Sequence, residues 1–196
     1  MKLFVLFFSF WIVGALPAQE LTDEALLDTV QRHTFRYFWD FGHPVSGLAR
    51  ERSDTTHINH EVVTIGGSGF AVMAIIVGVE RGFITRDQGL ERLLKIVHFL
   101  DEKAEHWHGI WPHWLNGTTG KAIAFSEKDD GADIVETSFL FEGLLMAHQY
   151  FDRNTPQEKE LRQEIDKLWQ EADWRWFTNE EDVLYWHWSP QYGWEM

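Results

Sequence analysis

Hydrophobic and polar positions along the chain form blocks that predict helices of two kinds. Two blocks, residues 70–81 and 133–151, are apolar on nearly every side, as expected for helices that are surrounded by protein. Three others carry one apolar and one polar face, near residues 22–41, 85–104 and 155–169. Buried helices therefore alternate with surface helices along the chain.

Capping signals mark where the surface helices begin. Thr22 is a candidate N-cap residue, and Thr85 with Gln88 fits a capping box, in which two side chains satisfy free backbone amides. Thr155 precedes a proline at the first helical position, and Glu158 fits a second capping box. The sequence therefore predicts sharp helix starts at these three places.

Two connections between helices carry structure of their own. The segments IWPHWL and KAIAF flank NGTTG, a pattern that predicts a small β-hairpin within a connecting loop. The stretch HPVSGLARERSDTTHINHEVVTIGGSG is long for a simple connection, which favours a functional loop. We expect Gly66, Gly67 and Gly69 to close this loop before the second helix begins.

The spacing of glycines indicates the architecture. Glycine-rich entries to the apolar helices recur at Gly66, Gly131 and Gly193, about 63 residues apart, a period typical of a repeated helix pair. Stacked pairs form an open solenoid or a closed double ring with the apolar helices inside. The fold class is therefore all-α. We expect residues 19–196 to be one partial domain, truncated at its C-terminus, because a third inner helix would begin where the sequence stops.

Composition narrows the class of partner. The chain is 44% hydrophobic and 24% charged, as expected of a folded globular protein, and its formal net charge is −14. This charge repels nucleic acid phosphates and anionic lipid headgroups. A neutral or cationic partner is favoured, and no nucleic acid is expected.

The first residues predict export. Residues 1–18, MKLFVLFFSFWIVGALPA, have a lysine, an apolar stretch and a small residue at the end, which is the pattern of a cleaved signal peptide. The apolar stretch is shorter than the roughly 20 residues of a membrane anchor, so no stable membrane insertion is expected. The chain has no cysteine, and export without disulfides suits a bacterial periplasm. We expect a periplasmic or secreted protein.

Carboxylates crowd at the start of the second apolar helix, in FSEKDDGADIVETSF. Asp129 and Asp133 are four residues apart, and Asp133 and Glu136 are three apart, so one helical face would carry them. The helix N-terminus favours ionised carboxylates, whereas apolar surroundings and mutual repulsion favour protonated ones. Neighbouring acids whose pKa values are shifted in opposite directions suit acid and base catalysis. The alternative is that these residues only cap the helix.

Tryptophans in the connections suggest a carbohydrate ligand. Sugar rings stack on aromatic faces through C–H groups, and indole N–H groups bond to hydroxyls. Six of the 11 tryptophans lie in predicted connections: Trp107, Trp111, Trp114, Trp186, Trp188 and Trp194. The alternative is that these rings only pack the loops onto the helices. Arg50 could grip sugar hydroxyls, although a salt bridge to a nearby acid is the other interpretation.

Histidines raise the question of a metal. His106, His108 and His113 have spacings that a zinc site could use. However, HWHGIWPHW is filled with bulky rings, and no neighbouring acid follows it before Glu127. We therefore expect no metal and no other cofactor, and a metal-dependent hydrolase or lyase is kept as an alternative function.

Four motifs resemble those of a known family. TFRYFWDFGHPVSGLARERS, GGSGFAVMAIIVGVERGFITR, FSEKDDGADIVETSFLFEGLLMA and LYWHWSPQYGWEM are similar to stretches of the bacterial glucoamylase-like proteins of glycoside hydrolase family 144. The resemblance implies an (α/α)6 barrel, of which this chain is the N-terminal half. It also implies inverting hydrolysis of β-1,2-glucan or sophoro-oligosaccharides. The family's acids fall on Asp129, Asp133, Glu136 and Glu195 of this sequence.

An inverting reaction constrains which acids work together. One carboxylic acid must protonate the leaving oxygen and one carboxylate must activate water, about 6.5–9.5 Å away. Asp133 and Glu136 lie within one turn, so Glu195 is the expected partner of this cluster. The candidate substrate-binding residues are Arg50, Trp111, His113, Trp114, Trp186, Trp188 and Trp194. A non-catalytic periplasmic glycan-binding protein, with the acids serving only as caps, is the main alternative function.

Overall fold

The computed structural model describes residues 21–53 and 60–195, and this part of the chain is mostly helical. The helices are α1 (Asp23–Asp40), α2 (Ile65–Glu80), α3 (Arg86–Glu102), α4 (Ile134–Tyr150) and α5 (Pro156–Glu171), followed by a short 3-10 helix (Trp176–Thr178). The strands are β1 (Val62–Thr64), β2 (Trp114–Asn116), β3 (Ala122–Ile123), β4 (Ala132–Asp133) and β5 (His187–Trp188). The predicted helical fold class is confirmed. Within the described residues, no helix has both the length and the apolar character to cross a membrane.

The two apolar helices, α2 and α4, pack directly on each other. Their backbones approach so closely that a Cβ at Gly69 would overlap the carbonyl oxygen of Phe139, and a Cβ at Gly143 would overlap the carbonyl oxygen of Gly69. The predicted start of α2 at Phe70 was wrong, because the helix begins at Ile65 and contains all three glycines. These glycines do not close a loop. They allow α4 to lie against the first turns of α2.

The amphipathic helices α3 and α5 pack on each other and are joined at their starts by an ion pair between a half-buried guanidinium and a buried carboxylate. Arg86, at the start of α3, donates 2.7 and 2.9 Å hydrogen bonds to the carboxylate of Glu158 in the first turn of α5. The same guanidinium donates to the carbonyl oxygen of Tyr150, at the end of α4. The capping box predicted for Thr155 and Glu158 was therefore wrong in part: Thr155 caps the helix, but the Glu158 side chain turns to Arg86. The capping box of Thr85 and Gln88 is confirmed.

Short strands hold the connections against the starts of the inner helices. β1, β2 and β3 form an antiparallel sheet in that order, with Thr64 opposite Trp114 and Trp114 opposite Ile123. The backbone amide of Ile65, the first residue of α2, donates to the carbonyl oxygen of His113. β4 pairs with β5 in a second, two-stranded sheet. Both sheets therefore bring loop residues to the N-terminal ends of α2 and α4.

The close contact of α2 and α4 leads to a test of stability. We expect Gly143→Ala to lower the free energy of unfolding by about 3 kcal/mol, since the new methyl group forces two backbones apart. Urea denaturation of the purified chain measures this difference. Glu142→Ala, at the neighbouring exposed position of α4, is the matched control and is expected to stay within about 0.5 kcal/mol of the parent. Equal stability of the two variants would contradict the packing described.

Candidate functional site

Asp133 is the fully buried centre of the acid cluster and the N-cap of α4. Its Oδ1 accepts hydrogen bonds from the amides of Val135 (2.8 Å) and Glu136 (3.0 Å), so this residue caps the helix. Its Oδ2 accepts a 3.2 Å hydrogen bond from the indole Nε1–H of Trp186. Because N–H groups occupy both oxygens, Asp133 is held in one orientation as an acceptor.

Glu136 does not complete a capping box with Asp133. Its side chain instead reaches across to the first turn of α2, where Oε2 accepts a 3.0 Å hydrogen bond from the amide of Gly66. A Cβ at Gly66 would overlap this carboxylate, so the glycine is needed for the contact. The negative group thus lies at the N-terminal ends of two helices, where the helix dipoles favour it.

His113 lies between the three acids. Its Nδ1 is 3.5 Å from Asp133 Oδ2 and 3.8 Å from Asp129 Oδ2, and its Nε2 is 3.9 Å from Glu136 Oε1. Burial alone would lower the pKa of His113, but the contact with Asp133 and the charges of Glu136 and Asp129 outweigh it and raise the pKa above its ordinary value. The imidazolium form is therefore retained to higher pH than in a free histidine.

Asp129 differs from Asp133 and Glu136 because fewer hydrogen bonds offset the burial of its carboxyl group. Its Oδ1 is buried and has no hydrogen-bond partner among the described residues. Burial, followed by the charge of Asp133, raises the pKa of this carboxyl, against smaller opposing effects of His187 and His113. The site thus contains one carboxyl with a raised pKa next to two carboxyl groups that accept from N–H donors.

Trp186 gives the cluster an exposed aromatic face. Its side chain is 56% exposed even though its Nε1–H is bonded to buried Asp133. Its backbone carbonyl oxygen also accepts from the amide of Ile134, the first residue of α4. A sugar ring stacked on this indole would lie beside the acids.

The remaining predicted tryptophans have different surroundings. Trp114 contacts His113 and Phe125 at 5.7 and 5.0 Å between ring centroids and forms one wall of the cluster. Trp188 and Trp194 are half-buried and pack on Trp176, so their rings are joined to an aromatic group rather than to the acids. For Trp188 and Trp194 a substrate-binding role stays a prediction.

Trp111 requires a correction. The prediction that it stacks on substrate was wrong, since its side chain is only 1% exposed and packs against Phe141 in the hydrophobic core. Its contribution to the site is made by its backbone, because its carbonyl oxygen accepts from the amide of Asp133. It therefore supports the acid without facing a ligand.

Two other predicted residues are not brought to the cluster by any described contact. Arg50 donates from Nε to the carbonyl oxygen of His60 and lies over the ring of Phe41, so its guanidinium is engaged within its own loop. Glu195 is exposed, and its backbone amide bonds to the carbonyl oxygen of Tyr192. Its role as partner of the cluster stays a prediction.

Sequence reasoning missed the residues that hold the site together over long range. Phe125 stacks on His113, with 4.1 Å between ring centroids, and Gln191 donates to Asp130 Oδ2 at 2.8 Å. Neither partner has a local signal, because the contacting residues lie in different connections. For Phe125, the one indication in the sequence is that it directly precedes the acid-rich segment.

A cation is the other group that this arrangement could hold. One ligand atom from each of His113, Asp129 and Asp133 falls within 4.8 Å of the others. No acid follows this histidine in the sequence before Glu127, but folding brings Asp129 and Asp133 to it. However, both Asp133 oxygens already accept from N–H groups, which leaves a metal ion few free lone pairs there. The residues fit proton sharing better than metal ligation.

The acids at the start of α4 lie beside the exposed indole of Trp186, an arrangement that could hold a sugar ring. Known proteins resemble the chain over most of its length. It is 51% identical, over 177 residues, to the exo β-1,2-glucooligosaccharide sophorohydrolase (non-reducing end) of Parabacteroides distasonis. It is 53% identical to the structure of the endo-β-1,2-glucanase from Chitinophaga pinensis in complex with sophorotriose and glucose, with a TM-score of 0.85. The β-1,2-glucanase structure from Parabacteroides distasonis is 50% identical, with a TM-score of 0.83.

These similarities confirm the resemblance inferred from the four motifs, although no family model matches the chain. Each covers 89% of this chain. The chain in turn spans 24% of the sophorohydrolase, 43% of the Chitinophaga structure and 25% of the Parabacteroides structure. It therefore corresponds to less than half the length of each of these relatives.

The raised pKa of Asp129 predicts a dependence of stability on pH. A carboxyl whose pKa is higher in the folded than in the unfolded chain binds more protons when folded, so stability falls as pH rises from about 3.8 through the folded pKa. We therefore expect Asp129→Asn to be more stable than the parent at pH 7, and the difference to disappear below about pH 4. Urea denaturation at a series of pH values measures it. Asp182→Asn, at an exposed loop position, should show no such difference.

Proposed function

We propose that this chain is part of a glycoside hydrolase acting on β-1,2-glucan or sophoro-oligosaccharides. The observation that carries the proposal is the His113-linked cluster of Asp129, Asp133 and Glu136 beside the exposed indole of Trp186. Relatives that are 50–53% identical to this chain are named for β-1,2-glucan or its oligosaccharides. Their names support a β-1,2 linkage in the proposed substrate. The substrate is an uncharged carbohydrate, which suits a chain with a net charge of −14.

The described helices fit the N-terminal half of an (α/α)6 barrel, with the β2–β3 pair in a connecting loop. α2 and α4 are apolar on nearly every side, yet each leaves large apolar side chains exposed, among them Phe70, Val77, Phe139 and Met146. Helices of this composition normally lie inside a protein. Further inner helices would cover these side chains and complete the cleft over the acids.

Inverting hydrolysis is the mechanism we favour for this site. It needs a protonated acid and an ionised base on opposite sides of the glycosidic bond. Within the cluster, Asp129 is the acid with the raised pKa, and the hydrogen bonds that Glu136 accepts from described residues go to Oε2 and leave Oε1 available. The base or acid on the other side of the sugar would come from Glu195 or from further inner helices. Trp186 would hold the sugar ring, and no cofactor is needed.

Location and processing stay part of the proposal. Residues 1–18 lie outside the described residues, and their pattern supports a signal peptide followed by a domain from residue 19. A periplasmic or secreted protein would meet glucan outside the cytoplasm. The alternative function, a non-catalytic glycan-binding protein, is favoured by one observation: Asp133 is fully engaged as a helix cap.

The first test asks whether this chain associates with the C-terminal half of a related barrel. We expect this chain to form a 1:1 complex with the complementary C-terminal part of the Chitinophaga pinensis endo-β-1,2-glucanase, because that part would cover the exposed apolar side chains of α2 and α4. Co-expression followed by size-exclusion chromatography with light scattering measures the complex. Met146→Glu, at an exposed position of α4, is expected to weaken it at least tenfold, whereas Glu160→Lys on α5 should not. Failure of the two parts to associate would contradict the half-barrel.

The second test measures hydrolysis by this complex on linear β-1,2-glucan. We expect new reducing ends, and NMR spectra taken early in the reaction should show the inverted anomer. Glu136→Gln should lower kcat at least 10²-fold, as expected when a group used for proton transfer is lost. Glu160→Gln, at an exposed position of α5, is the control and should leave kcat unchanged. Tight glucan binding without any product, in parent and variants alike, would favour the glycan-binding alternative.

A further inference from the structure

His113 is placed so that each of its ring nitrogens faces a different part of the acid cluster. Nδ1 faces Asp133 and Asp129, at 3.5 and 3.8 Å, and Nε2 faces Glu136 at 3.9 Å. Asp133 lies in β4, and Glu136 lies in α4 and is bound to α2. The imidazole is therefore the one described side chain that contacts all three acids.

The ring is held in this orientation from behind. Phe125 stacks on it with 4.1 Å between ring centroids and 12° between planes, and Trp114 contacts it edge-on. The carbonyl oxygen of His113 accepts from the amide of Ile65, which fixes its backbone at the start of α2. Rotation of the ring would break the stacking and move both nitrogens away from the acids.

Asp133 extends this connection to the surface. The oxygen that faces His113, Oδ2, is also the one that accepts from Trp186. A continuous line of contacts therefore runs from the exposed indole through Asp133 and His113 to Glu136. Movement of any member would change the spacing between the aromatic face and the acids.

We propose that His113 is a positioning residue, whose imidazolium sets the distances among Asp129, Asp133 and Glu136 and couples them to Trp186. It does not act on the glycosidic bond itself. Its kinetic effect rests on the proposed function, whereas its electrostatic coupling to the acids does not. The charged or titratable groups that face it are these three acids, and His187 faces Asp129 from β5.

The coupling is tested directly on this chain by NMR titration of the histidine rings. We expect His113 to titrate above 6.5, and its midpoint to fall in both Asp133→Asn and Glu136→Gln, because each removes a facing negative charge. His98, which pairs with Glu160 on the surface, is the control and should not shift in either variant. His113→Gln identifies the resonance. A midpoint at or below 6.5 that neither substitution moves would overturn the proposal.

The positioning role is tested on the half-barrel complex, using glucan hydrolysis. We expect His113→Ala to lower kcat about 10²-fold with little change in KM, as expected when catalytic groups are misplaced by about 1 Å. His113→Gln keeps a polar amide at this position, so its kcat should be about tenfold higher than that of His113→Ala. Because glutamine does not titrate, this variant should lose the alkaline limb of the pH profile of kcat. Unchanged kcat in both variants would overturn the role. If no glucan is cleaved even by the parent complex, the proposed function fails, and the NMR titration still decides the coupling.

Discussion

The close contact between α2 and α4 is the constraint on which the rest of the structure depends. Gly69 and Gly143 let the two backbones meet, and this contact brings the first turns of both helices to one place. Only at that separation can the Glu136 carboxylate of α4 reach the Gly66 amide of α2. A larger side chain at the helix contact would therefore disturb the acids as well as the core.

Stability and the candidate chemistry use the same residues in different ways. Asp133 stabilises the fold as the cap of α4, and it also holds Trp186 and faces His113. Asp129 has no such compensation within the described part of the chain, since its buried Oδ1 has no partner there and its pKa is raised. A buried polar group without a partner costs stability. A chain that keeps such a group is better explained by a function at this site than by folding alone.

Much of the fold could be predicted from the sequence because its signals are local. Apolar blocks of helical length and caps such as Thr85 and Thr155 place the helices, and the spacing of Asp129, Asp133 and Glu136 indicates the acid cluster. The errors concern contacts between distant residues. Gly66, Gly67 and Gly69 looked like a loop because the helix that needs them lies far along the chain. Glu158 looked like a cap because its partner, the half-buried guanidinium of Arg86, lies 72 residues away in the sequence. The burial of Trp111 likewise depends on Phe141.

The electrostatics of the cluster explain how several carboxylates can share one apolar environment. Two helix N-termini, the indole of Trp186 and the His113 ring supply partial or full positive charge on different sides of Asp133 and Glu136. Asp129 lies beside these acids with no described hydrogen-bond partner for its Oδ1, and burial followed by the charge of Asp133 raises the pKa of its carboxyl. The difference in hydrogen bonding between the acids therefore follows from where the backbone amides point. Because those amides belong to the first turns of α2 and α4, the helix contact that forms the core also sets which acids of the site have donors.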